Sequence, residues 1–135
     1  MYREHSLRLV EKMAERYGSH PALSMWHVSN ELGCHNGRCY SELSAQGFRR
    51  WLRERYTNLE ILNRAWATDF WSQRYGSWEE IKPPRIAPSF SNPTQQLDFA
   101  RFSSDALREQ LRAEAEVLRR HTPDVPVTTK PKLRV

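Results

Sequence analysis

The first third of the chain carries a helical hydrophobic pattern followed by a short apolar run. Residues 3–17 hold apolar side chains at three- and four-residue steps, which predicts an amphipathic helix. The repeating positions are Leu7, Val10, Ala14 and Tyr17. Gly18 and Pro21 are expected to end this helix. The apolar run at 22–29 lies between chain-breaking residues and is short, so we expect a buried strand that leads into a loop over 33–37.

Two further helices are predicted in the middle of the chain. Residues 43–56 place aromatic and aliphatic side chains on one side and arginines on the other. Thr57 and Glu60 have the spacing of a capping box, which predicts a short helix from there to Trp66. The same spacing recurs at residues 77–80, and prolines then interrupt the chain.

A long helix and a second strand complete the pattern. Asn92 and Pro93 are typical of an N-cap and a first helical position, and an apolar face continues to Arg120. That face consists of Leu97, Ala100, Ser104, Leu107, Leu111, Ala115 and Leu118. The helix should be about 40 Å long, and residues 125–129 should form a strand. Two strands joined by a helical crossover predict a parallel βαβ unit, which needs further elements to cover both faces of its sheet. The pattern therefore indicates a slice of a larger α/β fold.

The first predicted strand ends in the pair Asn30 and Glu31. In (β/α) barrels the carboxyl ends of the strands carry the active site, because strands hold side chains rigidly while the loops leave them open to substrate. Glu31 is therefore a candidate catalytic acid/base. Since side chains alternate along a strand, Asn30 and Glu31 reach one ligand together only if the strand end bulges or twists. A solvated carboxylate at a loop entrance is the alternative that the residues leave open.

Composition and charge exclude several other classes of protein. The 135 residues are 39% hydrophobic, which is enough for one modest core. Lys and Arg total 21 against 16 Asp and Glu, but arginines at helical spacing are typical of solvated faces, so no nucleic-acid binding is expected. No apolar run approaches the ~20 residues of a membrane helix, so no membrane partner is expected. The N-terminus lacks the apolar core of a secretory signal, and we expect a cytoplasmic location.

Five separated stretches, in order, resemble the β-galactosidases of glycoside hydrolase family 42. They are residues 26–35, 48–52, 59–66, 70–75 and 92–105. The resemblance extends over about residues 2–129. It implies that residues 1–129 are a fragment of a catalytic (β/α)₈ TIM barrel, from about the third helix to the fifth strand, and that residues 130–135 form a tail outside the family pattern.

The resemblance also implies roles for the Asn-Glu pair. In this family the fourth strand ends in Asn-Glu, and the Glu is the proton donor and general base of a retaining hydrolysis of terminal β-D-galactosyl residues. The catalytic role passes to Glu31 and the sugar-binding role to Asn30. Retention requires a second carboxylate about 5–5.5 Å away. The family takes this nucleophile from a later strand, beyond residue 135.

The resemblance sets expectations for partners as well. The fragment alone should be inactive, and a β-galactoside should bind once the barrel is complete. The family is commonly homo-oligomeric. A different class of function remains as the alternative, namely a noncatalytic basic helical interaction module.

The cysteines bear on metal binding. Cys34, His35 and Cys39 carry donor atoms that zinc accepts. Family members often have a zinc-binding cysteine cluster just after the Asn-Glu loop, and Cys39 matches its first member. Ser41 and Ser44 stand where further cysteines belong, so we expect no metal and no cofactor. Two cysteines are too few for a disulfide framework, and reduced thiols are expected.

Overall fold

The computed structural model describes residues 2–34, 38–86 and 88–130, apart from the side chain of Trp71. Its helices and strands are α1 (Tyr2–Tyr17), β1 (Trp26–Asn30), α2 (Glu42–Tyr56), α3 (Leu59–Ala65), α4 (Pro93–His121) and β2 (Val127–Lys130). Two short 3₁₀ helices cover Phe70–Ser72 and Trp78–Glu80. The chain divides into two compact units. We call residues 1–37 with 105–135 the sheet unit and residues 38–104 the helical unit.

The sheet unit contains the parallel strand pair that the sequence predicts. β1 and β2 are hydrogen-bonded neighbours and run in the same direction. Both strands lie further along the chain than predicted, because regular pairing begins only where the Trp26 backbone N–H donates to the Pro126 carbonyl at 2.9 Å. Residues 22–25 are therefore outside β1, while Lys130 belongs to β2. Residues 35–37 of the predicted loop lie outside the described residues.

The core of the sheet unit lies on one face of β1. Trp26 and Val28 are buried there together with Ala14 of α1 and Leu118 of α4. The Trp26 indole N–H donates to the Thr122 hydroxyl at 3.0 Å, so this buried ring keeps a polar partner. Because alternate residues of β1 face the core, the intervening side chains are exposed.

The core of the helical unit is mainly aromatic and aliphatic. Its buried members are Phe48, Leu52, Leu62, Trp66, Ile81 and Phe99. Phe48 is central, since its ring lies 5.2 Å from that of Phe99 and 6.4 Å from that of Trp66, measured between centroids. Trp51 and Trp78 pack against this core and are partly buried. The tryptophans described here therefore serve mainly in packing.

One predicted helix cap is wrong and two are confirmed. Thr57 does not begin α3; it ends α2 with a positive φ of 62°. Asn58 caps α3 instead, because its side-chain oxygen accepts from the Ile61 backbone N–H at 2.9 Å. The capping box at residues 77–80 is present. Asn92 caps α4 by accepting from the backbone N–H groups of the first turn.

The predicted inward face of α4 is wrong in its first half. Leu97 is 49% exposed, whereas Asp98 and Phe99 are fully buried. The Asp98 carboxylate accepts from the Tyr56 hydroxyl at 2.5 Å and from the Trp66 indole N–H at 2.9 Å. A hydrophobic pattern counts a charged residue as exposed. The burial of Asp98 is favourable only because of these long-range hydrogen bonds, which the pattern cannot show.

Candidate active site

The candidate active site lies at the carboxyl end of the parallel strand pair. Glu31 follows directly after β1, and its backbone N–H donates to the Lys130 carbonyl at the end of β2, at 3.0 Å. The Glu31 carboxylate also forms an ion pair with the Lys130 ammonium, with 3.0 Å between Oε1 and Nζ. Side-chain exposure is 27% for Glu31 and 65% for Lys130. Glu31 is therefore half-buried and still open to a ligand.

A bulge at the end of β1 interrupts the alternation of its side chains. His27 pairs with Thr128 and Asn30 pairs with Lys130, so two residues of β1 lie opposite Thr129 alone. Within the bulge, Ser29 has φ 50°, and its carbonyl accepts from the Thr129 hydroxyl at 3.1 Å. This is the kind of irregularity that strand parity requires if Asn30 and Glu31 are to serve one ligand.

The backbone around Glu31 is held in an unusual conformation. Glu31 has φ 53°, in the left-handed region that residues other than glycine rarely adopt. Its carbonyl accepts from the Cys34 backbone N–H at 2.9 Å, which closes a tight turn. Gly33 in this turn has φ 77°, and a Cβ there would lie 3.0 Å from the Leu107 side chain. Strained backbone of this kind costs about 1–3 kcal/mol per residue and clusters at functional sites.

The contact with Lys130 is the feature that sequence reasoning missed. Parallel pairing brings the last residue of β2 beside the residue that follows β1. The register of the two strands could therefore have predicted the contact between Glu31 and Lys130. Residues 131–135 of the predicted tail lie outside the described residues, and a boundary at residue 130 stays a prediction.

The described residues around Cys34 and Cys39 form no metal centre. Neither Cys34 nor Cys39 forms a disulfide. The hydrogen bond between the Cys39 thiol and the Ser41 hydroxyl, 3.2 Å long, lowers the pKa of Cys39 below its usual range. Ser41 also caps α2 by accepting from the Ser44 backbone N–H. His35 lies outside the described residues, and the remaining described side chains include no group of three or more His, Cys, Asp or Glu that could hold a metal ion.

Carboxylates pair with two of the arginines of helix α2. Arg49 pairs with Glu42 at 2.8 Å, and Arg53 pairs with Glu79 at 3.0 Å. These carboxylates neutralise part of the positive charge that would attract the phosphates of a nucleic acid. Within residues 2–34, 38–86 and 88–130, no helix combines the length and the apolar character needed to cross a membrane.

Comparison with known proteins identifies the family. The β-galactosidase model of glycoside hydrolase family 42 matches residues 1–132. The chain belongs to glycoside hydrolase family 42. This confirms the family that the sequence motifs indicate. The family 42 chain is similar to a β-galactosidase of Geobacillus kaustophilus, with 53% identity over 125 residues that cover 93% of this chain and 19% of the relative.

Solved family 42 structures share the fold of this chain. The β-galactosidase from the Antarctic haloarchaeon Halorubrum lacusprofundi matches with a TM-score of 0.91 and 45% identity, over 95% of this chain and 19% of that one. The enzyme from the psychrophilic Marinomonas ef1 matches with a TM-score of 0.92 and 40% identity, over 96% and 20% respectively. The chain thus spans about a fifth of the length of the relatives it matches. Its α/β arrangement is that of the corresponding family 42 segment.

Proposed function

We propose that this chain supplies the acid/base strand of a β-galactosidase barrel. The observation that carries the proposal is the place of Glu31, half-buried and held by a strained turn at the bulged carboxyl end of β1. Family membership supports a galactoside as the substrate. In a (β/α)₈ barrel the segment would run from about the third helix to the fifth strand, with β1 as the fourth strand and β2 as the fifth.

The proposed mechanism gives Glu31 two successive tasks. Its carboxylic acid protonates the glycosidic oxygen as the leaving group departs, and its carboxylate then takes a proton from the water that releases galactose. The Asn30 amide binds a hydroxyl of the same sugar, which the bulge in β1 makes compatible with the position of Glu31.

The proposed reaction is incomplete without a second carboxylate. Retaining enzymes place their nucleophile about 5–5.5 Å from the acid/base. We assign this nucleophile to a later barrel strand, outside residues 1–135. The 135-residue chain alone should therefore not hydrolyse a β-galactoside. Cytoplasmic location and homo-oligomer formation stay predictions from the sequence.

A chimera tests this proposal. Residues 2–129 would replace the corresponding segment of the Geobacillus kaustophilus β-galactosidase, and hydrolysis of a chromogenic β-galactoside would be measured. The chimera should be active. Glu31→Gln should lower its turnover by about a hundredfold or more, the usual size of a general acid/base contribution. Glu60→Gln, at an exposed ion pair with Arg74, is the matched control and should keep the activity.

Two results would contradict the proposal. The first is a folded chimera that retains full turnover after Glu31→Gln, because Glu31 would then have no part in the chemistry. The second is hydrolysis by the 135-residue chain alone that disappears in Glu31→Gln, because a second barrel strand would then not be required.

A further inference from the structure

The bulge at the end of β1 contains a hydrogen bond from a side chain of β2 to the backbone of β1. Two residues of β1, Val28 and Ser29, lie opposite Thr129 alone. The Thr129 hydroxyl donates to the Ser29 carbonyl at 3.1 Å. A bulge disrupts the regular backbone hydrogen bonds beside its extra residue. The Thr129 side chain therefore links the two strands at the place where their regular pairing is interrupted.

The Ser29 carbonyl belongs to the peptide group that joins Ser29 to Asn30. Because a peptide group is planar, a bond that fixes this carbonyl also fixes the direction in which the chain enters Asn30. The next peptide group is held from the same strand, since the Glu31 backbone N–H donates to the Lys130 carbonyl at 3.0 Å. Two consecutive residues of β2 thus hold the peptide groups on the two sides of Asn30.

The backbone before and after Asn30 is strained. Ser29 has φ 50° and Glu31 has φ 53°, both in the left-handed region that residues other than glycine rarely adopt. Such conformations persist only where the surrounding structure determines them. A return to regular strand backbone would relieve the strain, but Asn30 and Glu31 would then point to opposite faces of the sheet. The Thr129 hydrogen bond therefore opposes a relaxation that would separate these two side chains.

We propose that Thr129 is a positioning residue, which holds the bulge so that Asn30 and Glu31 serve one sugar. The inference rests on the proposed function for the roles of Asn30 and Glu31, whereas the hydrogen bond within the bulge is independent of those roles. Thr129 acts through the backbone of Ser29 and needs no contact with the substrate. Because catalysis tolerates little misplacement of the reacting groups, loss of this bond weakens proton donation by Glu31.

The chimera that carries residues 2–129 tests this role. Thr129→Val keeps the shape of the side chain but removes its hydroxyl, and should lower kcat/KM for phenyl β-galactoside by roughly threefold to tenfold, the effect of one hydrogen bond. The decrease should be smaller for dinitrophenyl β-galactoside, because a good leaving group departs without a proton from Glu31. Thr129→Ser keeps the hydroxyl and should restore most of the activity. Thr128→Val makes the same change at the exposed neighbouring position and is the control.

NMR of the 135-residue chain gives a second readout, which requires no activity. A positive φ brings the Hα atom close to the amide hydrogen of the same residue, so Ser29 should show a strong NOE between these two atoms. Thr129→Val should weaken this NOE and shift the amide resonance of Asn30. Thr128→Val should leave the NOE unchanged, because its side chain is not the donor to the Ser29 carbonyl.

The two leaving groups separate a positioning role from a structural one. A smaller fraction of folded enzyme would lower kcat/KM equally for both substrates, and that result would overturn the proposal. Equal kcat/KM in Thr129→Val and the parent chimera would also overturn it, as would an unchanged Ser29 NOE in the Thr129→Val chain. An inactive parent chimera would contradict the proposed function, and the NOE would then decide whether Thr129 holds the bulge.

Discussion

Replacement of Asp98 tests the packing of the helical unit. This fully buried carboxylate accepts from the Tyr56 hydroxyl and from the indole N–H of the buried Trp66. Asp98→Ala removes the Oδ2 atom that accepts both hydrogen bonds and leaves the buried indole N–H without a partner. Hydrogen bonds to a charged group contribute about 1.5–3 kcal/mol each, so the loss of two gives a decrease of about 3–6 kcal/mol in the free energy of unfolding. The nearby Arg55 and Arg101 are half-exposed and add little.

Urea unfolding followed by circular dichroism measures this loss. Asp98→Asn keeps the shape and one acceptor, so it should cost only about 1–2 kcal/mol. Asp69→Ala, at an exposed ion pair, is the control and should cost less than about 0.5 kcal/mol. A change in Asp98→Ala as small as that of the control would refute the reasoning.

The same network gives a second readout at alkaline pH. Burial, with a further contribution from the hydrogen bond to Asp98, raises the pKa of Tyr56 above its ordinary value of 10.0. The unfolded chain therefore loses this proton first, and the stability that Tyr56 contributes is present below pH 10 and declines as the pH rises toward the folded-state pKa. Absorbance titration of Tyr56→Phe should lack a late-ionising phenol that the original chain shows.

Three smaller changes test local features. Asn58→Ala removes the N-cap of α3 and should cost about 1 kcal/mol in urea unfolding, whereas an unchanged midpoint would argue against this cap. Thr57→Gly relieves a positive φ at a β-branched residue and should stabilise the chain by about 1 kcal/mol; a loss of stability would contradict the strain. Ser41→Ala removes the side-chain hydrogen bond that lowers the pKa of Cys39. The pH midpoint of Cys39 alkylation, followed by mass spectrometry, should therefore move upward, and an unchanged midpoint would argue against this hydrogen bond.

Local signals predicted most of the elements correctly. Helical periodicity found α1 and α2 within one residue at each end, and Asn92 with Pro93 marked the start of α4. These signals depend only on neighbours in the sequence, so they can be recognised without knowledge of the tertiary structure. The helical crossover between the two predicted strands indicated the parallel arrangement, and the place of Glu31 at the end of the first strand made it the residue to examine. The family motifs added the assignment to family 42.

The features that sequence reasoning missed depend on partners far along the chain. Asp98 is buried only because Tyr56 and Trp66 approach it, 42 and 32 positions away. Lys130 meets Glu31 only because two strands pair across about a hundred residues. Strand limits were also displaced, since a strand is defined by its partner rather than by its own side chains.

Azide rescue of a Glu31→Ala chimera tests the central claim most directly. Loss of the acid/base leaves no group to activate water in the second step, but azide attacks without giving up a proton. With a β-galactoside that carries a good leaving group, azide should restore turnover and yield β-galactosyl azide. Absence of rescue, or formation of α-galactosyl azide as expected if Glu31 were the nucleophile, would contradict the assignment of Glu31 as the acid/base.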